Sequence, residues 1–217
     1  MKKRINNYLR PAGLTKEKIH IFISDTLNIL KYGLNAPKKY EQIWIDPLEV
    51  SRLVNKEEIE KVTGNNRNDS SGMVIDWNQI ENTVPLTSEF RIQYCFKHWK
   101  EGSTWDEIGV FDYMSRTEKY RSWPLQKIKD RFIEFDRIFD QVKKDNRLKS
   151  RKEIYPENYR EKGGIMVHVA RNGEIFFAGI GFHRLAMSQI LELEKIPACI
   201  GVVDKHAIKY LDSLRKN

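Results

Sequence analysis

Apolar residues recur at intervals of three and four over Leu125, Ile128, Phe132, Phe135, Phe139 and Val142, and this spacing predicts the strongest helix of the chain. Ser122 and Pro124 suit its start, and the basic residues after Val142 suit its negative end. A second helix is expected from Thr15, a good N-cap, through Ile19, Phe22, Ile23, Leu27 and Leu30 to Gly33. Its apolar stripe calls for a surface to bury against, so the segment should dock rather than trail. Ser88 can cap a helix carrying Ile92, Cys95, Phe96 and Trp99 that ends near Gly102, and Thr104 with Glu107 forms a capping box ahead of Ile108 and Phe111.

The strand signals lie elsewhere. QIWIDP places Ile43 and Ile45 on one face and is stopped by Pro47, with a short helix expected around Leu48–Leu53. Residues 63–73, TGNNRNDSSGM, read as a loop. Ile165, Val167 and Val169 alternate as in a half-buried strand, Arg171-Asn172-Gly173 suggests a type I′ hairpin turn, and EIFFA (174–178) is the returning strand. GIGFHR then forms a glycine-rich turn into a helix with Leu185, Ile190 and Leu191 inward. PACIGVVD reads as a buried strand, and a closing helix covers about Ala207–Leu214. The order hairpin, glycine turn, helix, strand predicts an α+β fold. A basic helical segment over 1–40 precedes a domain over 41–217, which carries a helical insertion of about 79–145.

Composition narrows the class. The 217 residues are 40% hydrophobic and 31% charged, with a mean hydropathy of −0.61. No apolar run approaches the roughly 18 residues of a membrane span, so no membrane partner is expected. Cys95 and Cys199 are too few for a disulfide scaffold and lack metal-ligand spacing. MKKRINNYLR is not followed by the apolar stretch of a signal peptide, and a cytoplasmic setting is expected. Trp99, Trp105 and Trp123 read as core residues, His98 has no second ligand beside it at helical spacing, and His168 reads as a strand-face residue.

The net charge of +8 is unevenly placed. Residues 1–40 hold nine Lys/Arg against Glu17 and Asp25, and in Lys143–Lys152 six basic residues face only Asp145. Such runs attract nucleic-acid or nucleotide phosphates, and equally form a solvated surface.

The glycine turn carries the sharpest chemistry. A turn feeding a helix N-terminus offers unpaired backbone N–H groups and the positive dipole end to an anion. Gly179 and Gly181 would let a phosphate approach the backbone, and His183 and Arg184 would add side-chain hydrogen bonds. A Gly-x-Gly turn before a helix serves equally often as tight packing.

The run NGEIFFAGIGFHRLAMSQILELEKIPACIGVVDKHA resembles the nucleotide-binding core of the ParB/sulfiredoxin-like superfamily. In that core a hairpin ends in a Gly-x-(His or Arg)-Arg turn, followed by an Ala-containing helix and a strand opening at Ile-Pro. The matching positions are Gly181, His183, Arg184, Ala186, Leu193, Ile196 and Pro197, and IWIDPLEVSRL resembles the opening strand and short helix more loosely. The resemblance implies a small mixed sheet of that type. It also implies a nucleoside triphosphate, ATP or CTP with Mg²⁺, bound at Gly179, Gly181, Phe182, His183 and Arg184; Lys149 and Arg151 of the basic run would then give outer electrostatic support.

Relatives that phosphorylate free serine use a Glu after the opening strand. Glu49 is the nearest acid, with Asp46, Asp204 and His206 as further candidates. The departures also matter. Ile180 stands where the turn often has Asp. Phe182 stands where sulfiredoxins carry their reactive Cys, which excludes their chemistry. No helix-turn-helix follows the core, so chromosome partitioning is not expected. ENYR (157–160) resembles a nucleotide-contacting motif of the partition proteins but precedes the core.

The expectation is therefore a nucleotide-binding protein whose reaction would be phosphotransfer or nucleotide hydrolysis. The alternatives are a DNA-associated, nuclease-like or accessory protein using the basic segments, and an adaptor whose glycine turn is purely structural.

Overall fold

A computed structural model describes residues 16–216; Thr15 and the basic residues before it lie outside them. Helix α1 (Lys16–Tyr32) leads into strands β1 (Gln42–Ile45) and β2 (Arg52–Val54), helix α2 (Lys56–Thr63), and strands β3 (Val74–Ile75) and β4 (Thr83–Pro85). Helices α3 (Phe90–Trp99), α4 (Val110–Arg116), α5 (Leu125–Asp145) and α6 (Arg151–Ile154) follow without an intervening strand. Strands β5 (Ile165–Val169) and β6 (Ile175–Ile180), helix α7 (Phe182–Ile190), strand β7 (Ile196–Asp204) and helix α8 (Leu211–Leu214) complete the chain. The fold is α+β with a mixed sheet in the order β1-β7-β5-β6-β2-β4. β7 pairs with β1 along its first half and with β3 along its last.

The sheet is covered on both faces. One face packs Ile165, Val167, Phe177, Ile196 and Ile200 against the helices that carry Ile92, Phe132 and Leu185. The other meets α2 through Ile59 and α1 through Ile21. This is why β5 is buried along its whole length, where alternation alone suggested a half-buried strand. The 64–73 loop is laid flat on the sheet, with Ser71 Oγ donating to the Ile200 carbonyl (2.6 Å) and the Gly72 amide to the Gly201 carbonyl (2.8 Å).

Several local expectations change. The short helix near Leu48–Leu53 is a single 3₁₀ turn over Pro47–Glu49, after which Arg52–Val54 form β2 between β6 and β4. Ser88 does not cap α3; Glu89 holds that position, and the Ser88 hydroxyl donates to the Pro85 carbonyl. Thr104 and Glu107 do make their reciprocal bonds, but around a turn, and α4 begins only at Val110. The β5–β6 turn is not type I′, because among its loop residues only Gly173 has a positive φ (+88°). The Gly173 amide closes on the Ala170 carbonyl and the Ala170 amide on the Glu174 carbonyl, which makes a three-residue loop with a glycine bulge.

The largest departure is α1. It docks, but not by its apolar stripe: Ile19, Phe22, Ile23, Leu27 and Leu30 are exposed. Apart from Ile21, the docking is polar. The Asp25 carboxylate accepts from the Lys39 amide (2.8 Å) and pairs with Arg160 (2.8 Å), while Asn28 Nδ2 donates to the carbonyls of Pro37 and Gly72.

In the helical layer Asp136 of α5 gathers three side chains. Its carboxylate accepts from the indole N–H groups of Trp99 (2.9 Å) and Trp105 (3.0 Å) and faces His98 Nε2 (3.0 Å). His98 Nδ1 donates to the Ser103 carbonyl, and its ring stacks on Trp105 at 3.7 Å. Trp105 is a core residue, and Trp99 and Trp123 are half-buried against the same core. No described helix is long and apolar enough to cross a membrane.

Candidate functional site

Strand β6 ends in a bulge, where the register with β5 shifts between Met166 and Val167 and Gly179 adopts φ +75°. Gly181, at φ +92°, is the N-cap of α7. Protein atoms fill the space beside both glycines. The Arg67 guanidinium occupies the place of a Gly179 side chain and donates to the carbonyls of Ala178 and Gly179 (3.1 Å each), and a Cβ on Gly181 would lie 2.9 Å from Ile165 Cα. The glycines are thus required by packing. The turn still borders open space, in a cavity that Gly179, Gly181, His183 and Arg184 all line. Phe182 is buried, its ring covered by the Arg91 guanidinium at 3.6 Å and set edge-on to Phe177.

The N-terminus of α7 opens into a cavity of about 920 Å³. One wall is the β6–α7 turn with Gly179, Gly181, His183 and Arg184. The opposite wall is one face of α5, where Arg131, Phe135, Ile138, Val142 and Asp145 recur at helical spacing, and Lys149 and Arg151 close an end. Tyr113 and Tyr120 add aromatic surface, and Arg91 and Lys119 further positive charge. Glu134 and Asp145 are the only acids on the lining, and both are engaged, by Arg137 and Lys149.

The His183 ring stacks on Phe135 at 3.9 Å, with Nε2 at 2.7 Å from the Tyr94 hydroxyl. That hydroxyl is fully buried, and His183 is its one hydrogen-bond partner among the described residues, so we assign it as donor; the imidazole proton is then on Nδ1. Burial, helped by Arg131, Arg91 and Lys119, pushes the His183 pKa down to about 3, so the ring is neutral. Arg184 Nη2 donates to the Lys149 carbonyl at 2.5 Å, and its Nε is buried without a partner. Burial pushes its pKa down to about 10, against the favourable field of Glu161. Glu161 is itself buried, and desolvation raises its pKa.

Among the described residues, Arg131, Arg151 and Arg184 have no carboxylate within ion-pair distance, although all three line one cavity. Each also has a buried Nε without a hydrogen-bond partner. Glu161, buried behind Arg151 and Arg184, acts on both, and guanidiniums concentrated in this way without ion pairs favour an anionic occupant.

Other candidates are placed elsewhere. Asp46 accepts from the Leu48 amide, and Glu49 is exposed in the same 3₁₀ turn. That turn packs at the C-terminal end of α7, where Gln189 donates to the carbonyls of Pro47 and Val50, so neither acid reaches the cavity. Asp204 lies at the far end of β7, accepting from the amides of Trp77 and His206 and from the His206 ring. In the basic run, Arg147 is paired with Glu153 and Lys152 donates to the carbonyls of Pro156 and Asn158, while Lys143 and Lys144 are exposed. Arg91, Tyr94, Arg131 and Phe135 join the site from α3 and α5. Within their own helices they read as ordinary members, and no spacing marks them.

No family model, curated protein or solved structure matches the chain. Among the described residues no group of three His, Cys, Asp or Glu side chains could hold a metal ion.

Two buried rings set an acid limit on stability. His168 Nδ1 accepts from the Val202 amide (3.0 Å), and burial, with Arg67 nearby, pushes its pKa down to about 3. An unfolded histidine titrates near 6.5, so the unfolded chain binds the extra proton below that pH. The contribution is whole above pH 6.5 and is lost as pH falls toward 3, by about 1.4 kcal/mol per pH unit. Urea unfolding is expected to show His168 costing about 2 kcal/mol at pH 5 relative to pH 7.5. His168→Asn should flatten the slope, and an equally steep profile in that variant would refute the assignment.

Proposed function

We propose that this chain is a nucleotide-binding protein of the ParB/sulfiredoxin-like type, holding the phosphates of ATP or CTP between the N-terminus of α7 and the arginines facing it. The observation that carries the reading is the convergence of Arg131, Arg151 and Arg184 on one cavity, none of them in an ion pair among the described residues and each with a buried Nε left without a partner. Supporting it are the nine-residue helix α7, whose first turn lines that space, and a volume in the range of small-molecule sites. The aromatic and apolar side chains on the α5 wall suit a base. Mg²⁺ would arrive with the nucleotide, since the lining acids are few and already paired.

The geometry supports binding further than chemistry. Glu49 and Asp46 are remote from the turn, so a phosphoryl transfer or hydrolysis would draw its carboxylate from Glu134, Asp145 or the acceptor molecule. A DNA-associated role would use the exposed Lys143 and Lys144 beside the same cavity.

A thermal-shift screen of ATP, ADP, CTP and GTP with Mg²⁺ tests the proposal. Ligand at a hundred times its Kd should stabilise the chain by about 2.7 kcal/mol, because it binds only the native state. An unchanged melting temperature with every nucleotide would remove the reading. Duplex DNA that binds where nucleotides do not, with affinity falling steeply as salt rises, would replace it with the DNA-associated one.

A further inference from the structure

We propose that the outward face of α1 is the contact surface between two copies of this chain. Around the helix, Ile21, Asp25, Asn28 and Tyr32 face the body of the protein, at intervals of four, three and four. Ile19, Ile23, Leu27 and Leu30 lie on the opposite side, with Phe22 beside them and Leu34 just past the Gly33 cap. Phe22 is 71% exposed, Leu30 78% and Leu34 86%. These six side chains present on the order of 700 Å² of apolar surface, above the largest patch of an ordinary monomer and near what a standard interface takes from each partner.

The helix is fixed before any partner arrives. Asp25, Asn28 and the Glu17–Lys162 ion pair anchor it to the segment before β1, the 64–73 loop and the segment before β5. Its exposed ridge therefore needs little further ordering on contact. Lys31 flanks the ridge with its ammonium over the Tyr32 ring, and both acids of α1 are already paired, to Lys162 and Arg160, so closing the interface buries no unpaired carboxylate. Ile23, Leu27 and Leu30 follow the four-three spacing with which one helix seats a like helix. A twofold pairing uses this same patch twice and closes the assembly.

Sedimentation velocity of the full chain over a range of micromolar concentrations tests this. A species of twice the 25.7 kDa chain mass is expected. Leu30→Glu, and Leu27→Glu combined with it, should raise the dimer dissociation constant by about a hundred-fold or more, with an unchanged circular dichroism spectrum because both sites are exposed. A wild-type chain that stays monomeric throughout would overturn the proposal. So would a dimer insensitive to both variants, or a monomer that instead binds phosphatidylserine vesicles through these leucines.

Discussion

Arg184→Ala is expected to weaken nucleotide binding by roughly ten- to a hundred-fold and to leave the chain folded. The side chain stands at the third residue of α7, tied through Nη2 to the Lys149 carbonyl, with no carboxylate paired to it among the described residues. Its hydrogen bonds to a phosphate would be charge-assisted, worth about 1.5–3 kcal/mol, and each 1.4 kcal/mol is a factor of ten in affinity. Arg184→Lys keeps the charge but loses the planar fork, so it should fall between wild type and Ala.

The ligand-free protein should respond far less. Removing Arg184 relieves the desolvation of its buried guanidinium and its repulsion from Arg151 but also withdraws the favourable field on buried Glu161, so stability without nucleotide is expected to stay near that of wild type. Calorimetric titration with ATP and CTP, together with urea unfolding of the free variant, measures both quantities. Wild-type affinity in the Ala variant would detach Arg184 from the site, whereas a large loss of stability would show that the arginine serves the fold.

Gly181→Ala is expected to cost about 3 kcal/mol of stability. A side chain at φ +92° is strained by about 1–2 kcal/mol, and its Cβ would meet the Cα and N of Ile165 at 2.9 and 3.2 Å. Those atoms belong to the backbone of a central strand and cannot move aside as a flexible side chain would. Gly102 is the matched control, with φ +83° and nothing within 4 Å of an added Cβ, so Gly102→Ala should cost only about 1 kcal/mol. Urea unfolding of the two variants isolates the contact term. Equal losses would mean that the β6–α7 junction yields and that Ile165 does not fix the position of the turn.

The elements that periodicity revealed are those whose burial follows from local pattern. The α5 stripe, the apolar run of β7 and the glycine turn into α7 all lie where the chain indicates, because each meets a single apolar environment along its length. The exceptions have physical causes. β2 has only three residues, too few for alternation to show, and Pro47 ahead of it suggested a helix start. The α1 stripe pointed to the wrong docking face because Asp25 and Asn28 supply the bonds that hold the helix down, and polar docking leaves no mark in a hydrophobic pattern.

Half of the candidate site was legible for a related reason. His183, Arg184, Lys149 and Arg151 lie in motifs or charge runs. Arg131 and Arg91 gain meaning only when two helices are laid against a turn about fifty and ninety residues further along the chain. Asp46 and Glu49 were drawn in by analogy with an opening strand, and the packing of Gln189 shows that their turn sits at the other end of α7.

The arrangement around Asp136 also gives the protein a built-in optical probe. Phe135, which backs His183 in the cavity, is the next residue along α5 from the carboxylate that holds Trp99 and Trp105. An occupant that displaces this turn of α5 would change the polarity and quenching around two indoles, one of them stacked on an imidazole. Intrinsic fluorescence can therefore follow the cavity without a dye or an engineered label.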